Sequence, residues 1–252
     1  MTDDSDGTRL PASIAAAWGV RERPGKGPKP GLSLERIVEA GVKVADADGI
    51  GAVSMSRVAA DLGVSTMSLY RYVSAKDELL TLMVDAAYGL PPAAQAAGER
   101  WRDALSTWAW TELALLRRHP WILRIPISGP PLTPNAIMWL ERGLRILGGT
   151  GLAESEKLSV MLLVTGFVRN SATQTTDIHE AAVKSGSTVQ DVMTAYGRTL
   201  AKLIDPERFP ALTVGIASGA LEDDEDEFGD SEFRFGLERV LDGVDRLIDS
   251  RG

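Results

Sequence analysis

The chain contains no cysteine among its 252 residues. Disulfide staples, thiolate metal sites and cysteine nucleophiles are therefore excluded, and a reducing compartment is permitted. Histidine is almost missing as well. His119 and His179 are the only two, and no metal is assigned to so thin a set of ligands. No long apolar run exists either. Leu158 to Val168 spans 11 residues between Lys157 and Arg169, well short of the ~20 that cross a bilayer as a helix. The N-terminus opens MTDDSD, which lacks the basic start of a signal peptide. There is no Ser-His-Asp arrangement, no nucleotide-binding glycine loop and no metal cluster. These absences predict a soluble, cytoplasmic protein that is not an enzyme and needs no cofactor.

What is present is a chain with 44% hydrophobic residues, enough for a real core. Five of its six tryptophans fall between 101 and 139. The formal charge of −8 is unevenly spread: residues 222–232, EDDEDEFGDSE, hold eight acids and no base. Residues 21–77 carry nine Lys/Arg against seven Asp/Glu. Local charge governs phosphate binding because salt screens beyond about 10 Å, so the acidic total does not exclude a nucleic-acid partner. The acidic run itself reads as a solvated loop.

Apolar spacing predicts helices throughout, and no alternating strand pattern of useful length appears. Residues 1–31 read as an arm. Leu10 to Trp18 is apolar enough for one or two helical turns. RERPGKGPKPG then places Arg21, Arg23, Lys26 and Lys29 among prolines and glycines, which reads either as a linker or as a basic arm lying along DNA. Ser33 caps a helix with apolar positions at Leu34, Ile37, Val38, Gly41, Val42 and Ala45, ending near Gly49. Ser54 caps a second, with Val58, Ala59 and Leu62 inward. Gly63 turns the chain, and Ser65 starts a short helix with Leu69 and Val73 inward and Tyr70, Arg71 and Tyr72 on it. Ser74, with Asp77 in capping-box spacing, starts a fourth that runs to Gly89. Later helices are expected over Glu99–His119, Pro120–Ile125, Asn135–Leu147, Glu154 to about Ala182, Val189–Leu203 and Glu232–Ile248. The stretch Pro206 to Glu227 is expected to be a break.

Two short helices set at an angle by a glycine turn form a helix-turn-helix, whose second helix can enter the major groove of DNA. Arg71 and Lys76 supply charge, and Tyr70 and Tyr72 supply hydroxyls and flat rings. Thr66, Ser68 and Met67 offer contacts to base edges and thymine methyls. The plain alternative is a helix pair inside an ordinary α-protein.

Residues 33–80, with ADADG closing the first helix and VAADLGVSTMSLYRYVSAKDELL after it, resemble the DNA-binding domain of the TetR family. HPWIL, GPPLTPNAIMWLERGL and EKLSVMLLVTGFVRN are similar to the regulatory domain of the tetracycline-repressor subgroup. The resemblance implies an all-α protein with a three-helix DNA-binding domain at 32–78 and a larger ligand-binding and dimerisation domain at 79–252. It further implies a homodimer that binds a palindromic operator on double-stranded DNA and is released by a small-molecule effector. An activator, or a ligand-independent DNA binder of the same fold, is the alternative. By position, the resemblance makes Ser56, Thr66, Met67, Ser68, Tyr70, Arg71, Tyr72 and Lys76 the DNA contacts. Ser56 and Thr66 stand where the tetracycline repressor has an arginine and a glutamine, which implies a different operator. The magnesium arrangement of that repressor has no counterpart here.

The stretch 99–173 has the ingredients of a ligand cavity, which is mostly apolar with a few fixed polar groups. Candidate lining residues are Trp108, Trp121, Arg124, Asn135, Trp139, Thr165, Arg169, Asn170 and Thr173. Any one of the tryptophans reads first as core, with the set still supplying part of a cavity wall. The last helix is apolar along Phe233, Leu237, Val240, Leu241, Val244, Leu247 and Ile248. Leu158 to Val168 is apolar nearly all round, so burial on more than one side is expected. Together they could form a four-helix dimer seam or pack within one chain.

Overall fold

The computed structural model describes residues 11–19, 31–93, 98–127, 129–219 and 229–251. All regular elements among them are helical. The basic stretch 20–30 and most of the acidic run, 220–228, lie outside the described residues. By packing, the chain divides at Met161/Leu162, inside one long helix, into two units.

The first unit contains α1 (Ala12–Ala17), α2 (Leu34–Asp48), α3 (Met55–Asp61), α4 (Thr66–Leu69), α5 (Lys76–Tyr88), α6 (Trp101–Arg118), α7 (Pro134–Ile146) and the start of α8 (Glu154–Ser185). Short tight turns at Ile50–Ala52 and Pro120–Arg124 follow α2 and α6. Ser33 caps α2 by accepting the Arg36 N–H, and Ser54 caps α3 by accepting that of Arg57. The inward faces of α2, α3 and α5 meet as a core of Ile37, Val44, Val58, Leu79 and Met83. Gly41 lets α5 come close: a Cβ there would lie 2.7 Å from the Met83 sulfur. Arg57 bridges Asp48 at 2.9 Å and Asp61 at 3.3 Å, tying the end of α2 to α3.

α5 begins differently from the sequence reading. Its cap position is Ala75, not Ser74, and the capping box with Asp77 does not form. Glu78 instead turns back to accept the Ser74 N–H, and it also accepts the hydroxyl of Ser13 from α1. Ser13 and Ile14 are buried as α1 packs against α5, and the Trp18 indole donates to the Leu132 carbonyl at 2.8 Å. Ala12–Ala17, within the apolar patch read at Leu10 to Trp18, is thus a seated helix, and Leu10 lies outside the described residues.

Burial raises the Glu78 pKa, but the hydrogen bonds from Ser13 and Ser74 outweigh it and hold the carboxyl below its ordinary value of 4.5. A depressed carboxylate stabilises the fold above its unfolded pKa and loses that contribution as pH falls through the folded value. Glu78→Gln should therefore lower the melting temperature at pH 7. The gap from the unmodified chain should close as pH falls below about 4, read by thermal melts across pH.

In the second unit are the rest of α8, α9 (Val189–Leu203), α10 (Pro210–Ala217) and α11 (Asp230–Asp249). α9 starts on a full capping box, Thr188 with Asp191. α10 corrects the expected break across Pro206 to Glu227. Pro210 occupies the first helical position, where its missing N–H costs nothing, so it starts a helix rather than ending one. On α11, Phe233 stacks with Phe167 of α8 at 5.3 Å, and Gly236 makes room for the Phe167 ring. The centre of α8 is buried on one side only. Val160, Met161, Val164 and Val168 are covered, whereas Leu158, Leu162 and Leu163 are 49%, 76% and 53% exposed. The expectation of burial on more than one side is not met within one chain.

Candidate nucleic-acid interface

The turn between α3 and α4 is set by backbone bonds. Gly63, at φ +67°, donates to the Ala60 carbonyl at 3.0 Å, and Val64 donates to that of Ala59 at 3.0 Å. This paired closure needs a left-handed residue, which glycine adopts without steric cost. α4 then starts at Thr66 and closes after four residues. Leu69 and Val73 are buried at 0% and 1%, anchoring the segment from beneath.

Tyr70 and Arg71 are exposed, but they do not sit in the body of α4 as the sequence suggested. Tyr70 is its cap, and Arg71 and Tyr72 form the following turn. The reason is a tight closure in which the N–H groups of Tyr72 and Val73 both reach the Leu69 carbonyl. Met67, Tyr70, Arg71, Lys76 and Ser56 lie on the surface, and Thr66 and Ser68 are half-buried. Ser68 pairs with Ser65 and Ser56 with Ser54, hydroxyl to hydroxyl, at 2.9 and 3.0 Å. Tyr72 differs from its neighbours: it is half-buried and its hydroxyl donates to the Leu32 carbonyl at 3.0 Å. Its hydroxyl is committed to holding the turn against the start of α2, a role with no signal in the local sequence. The surface is a stubby helix, the turn after it and the start of α5, with a methionine, a tyrosine, an arginine and a lysine outward on a fixed base. That is the chemistry of phosphate and base-edge contact.

The residues read as cavity lining fall out unevenly. Trp108 and Trp139 are 3% and 4% exposed and meet edge to face at 5.5 Å. The Trp108 indole donates to the Trp139 carbonyl, and the Trp139 indole to that of Gly89. Their N–H groups are thereby spent inside the fold, leaving only ring faces for a ligand. Tyr88 packs on Trp139 and donates its hydroxyl to the buried Glu112. Asn135 donates to the Asp85 carbonyl, while the Asp85 carboxylate accepts the Ala136 N–H in the first turn of α7. Both residues serve that helix start. The Trp121 indole is bonded to Asp46, and Arg124 is exposed. On α8 in the second unit, Thr165, Arg169 and Thr173 are half-buried and Asn170 is exposed. The Thr173 hydroxyl is bonded to the Arg169 carbonyl. Among the described residues, no three of His, Asp or Glu gather as a metal site, and no helix is long and apolar enough to cross a membrane.

A seated helix-turn-helix followed by a larger helical region defines a class of DNA-binding regulators. Residues 37–83 match the model of the bacterial regulatory proteins of the tetR family, and residues 93–248 match that of the tetracyclin repressor-like C-terminal domain. The chain is 38% identical over 251 residues to the HTH-type transcriptional repressor DrrR1 of Streptomyces coeruleorubidus, covering 99% of this chain and 91% of that protein. It is 30% identical over 171 residues to an HTH-type transcriptional regulator of Saccharopolyspora erythraea, covering 68% of this chain and 72% of that protein. The crystal structure of ActR from Streptomyces coelicolor in complex with actinorhodin is similar with a TM-score of 0.71 and 26% identity, covering 86% of this chain and 96% of that one. The chain belongs to the TetR family, a family of transcriptional regulators rather than enzymes.

Proposed function

We propose that this chain is a repressor that holds a palindromic operator as a homodimer and lets go when a small molecule binds its C-terminal part. The division of labour is 32–78 for reading DNA and 79–252 for sensing and pairing, with α1 of the preceding stretch seated on α5. The observation that carries the reading is the exposed set Met67, Tyr70, Arg71 and Lys76, mounted on a turn whose buried anchors are Leu69 and Val73. Ser56, Thr66 and Ser68 complete the contact surface, and Tyr72 positions it.

The repressor role is supported by the similarity to DrrR1. The effector role is supported by ActR, which has been captured with actinorhodin and with (S)-DNPA. For this chain, Thr165, Arg169 and Asn170 are the polar candidates on α8, and the tryptophans offer ring faces only. The open leucines of α8, Leu158, Leu162 and Leu163, favour a dimer seam along that helix.

The test is to let the purified chain select duplexes from a random pool and to measure its mass in solution. Recovered sites should be palindromes with half-sites about 34–36 Å apart, and the mass should be that of a dimer. Recovery of asymmetric sites, or of none, would overturn the proposal. Release of the selected duplex is then screened with a panel of small molecules that includes actinorhodin.

A further inference from the structure

One carboxylate oxygen joins two parts of the first unit that lie far apart in sequence. Asp46 stands near the end of α2. Its Oδ1 accepts from His119 Nδ1 at 2.7 Å and from the Trp121 indole N–H at 2.6 Å. His119 closes α6, and Trp121 lies in the tight turn that follows. The Trp121 ring is only 3% exposed, and it meets the His119 ring edge to face at 6.1 Å. Two residues beyond Asp46, Asp48 holds Arg57 of α3. The last turn of α2 is therefore bonded on one side to the corner after α6 and on the other to the helix-turn-helix.

Hydrogen bonds weaken steeply once donor and acceptor lose alignment. Because both donors share one oxygen, a shift or rotation at the end of α6 strains both together. α6 carries Trp108 and Glu112 in its buried middle, so a change of its position reaches His119 and Trp121 directly.

We propose that Asp46 is a positioning residue that fixes the angle of the DNA-reading helices to the end of α6, and that effector release acts through this junction. Its effect on DNA rests on the repressor reading; the contact itself does not. Asp46 touches no DNA by this account. Loosening it should change which operator spacings are accepted, rather than abolish binding.

The experiment uses the full chain, Asp46→Ala, Trp121→Phe and the double variant. Trp121→Phe keeps a ring and removes only the N–H. The probes are the duplex selected by the unmodified chain and the same duplex with one base pair inserted at its centre. The unmodified chain should lose about 10-fold or more on the inserted duplex, each single variant less than about 3-fold, and the double variant no less than Asp46→Ala alone discriminates. Amide hydrogen exchange should quicken at 44–48 and 119–124 in each variant and stay unchanged in α11. If Asp46→Ala and Trp121→Phe discriminate between the duplexes as the unmodified chain does, or their exchange is unchanged, the junction is not a latch. If the unmodified chain selects no duplex, the repressor reading fails, and the exchange result decides the junction alone.

Discussion

Arg71→Ala should weaken binding to the selected duplex by about 1–3 kcal/mol and relax base preference at one position of each half-site, with little change in melting temperature. The guanidinium is exposed, in the turn just after α4, and makes no ion pair among the described residues. It is therefore available to a guanine edge, where its two parallel donors match the two acceptors. Lys76 provides the contrast. It is also exposed at the start of α5, but a single ammonium serves best as a phosphate contact. Lys76→Ala should weaken all duplexes by a similar factor and reduce the slope of affinity against salt by about one counterion. Arg57 is the internal control, because its guanidinium already serves Asp48 and Asp61. Fluorescence anisotropy at several salt concentrations, with melts run alongside, separates the three cases. Unchanged affinity and base preference for Arg71→Ala would move the reading surface elsewhere on the head.

The helix-turn-helix was legible because its signals are local. A capping serine, a three- and four-residue apolar rhythm and a glycine at the left-handed turn are each written in a few neighbouring residues, and the helices fall where those marks place them. What escaped the sequence is long-range and polar. Tyr72 looked like a DNA contact because nothing near it announces that Leu32, 40 residues away, takes its hydroxyl. Asn135 looked like a ligand group, and its partner lies 50 residues back in Asp85. Asp46 carried no signal at all, since His119 and Trp121 lie more than 70 residues on. The start of α5 was misplaced for the same reason: Glu78 is recruited both by its own turn and by a helix at the other end of the domain. α10 was missed on local grounds: a break was expected across Pro206 to Glu227, and Pro210 stands in a first helical turn.

The second large effect concerns the tryptophans, whose two possible roles predict opposite outcomes. Trp139 is 4% exposed, edge-on to Trp108 at 5.5 Å and to Tyr88 at 5.7 Å, with its indole N–H on the Gly89 carbonyl. A ring in that position joins α5, α6 and α7 by packing and by one bond. Trp139→Ala should therefore cost about 3–5 kcal/mol of unfolding free energy, the usual range for emptying an aromatic site in a core. Trp139→Phe keeps most of the contact and should cost less, roughly the 1–3 kcal/mol of a buried carbonyl left without its donor. A wall of an open ligand chamber behaves otherwise. Its truncation removes few packing contacts, so stability would fall by less than about 1 kcal/mol while effector release is lost. Urea unfolding of the two variants decides between the roles. The geometry favours the core, because a side chain whose only polar atom is already satisfied inside the protein can give a ligand ring surface but no directional bond.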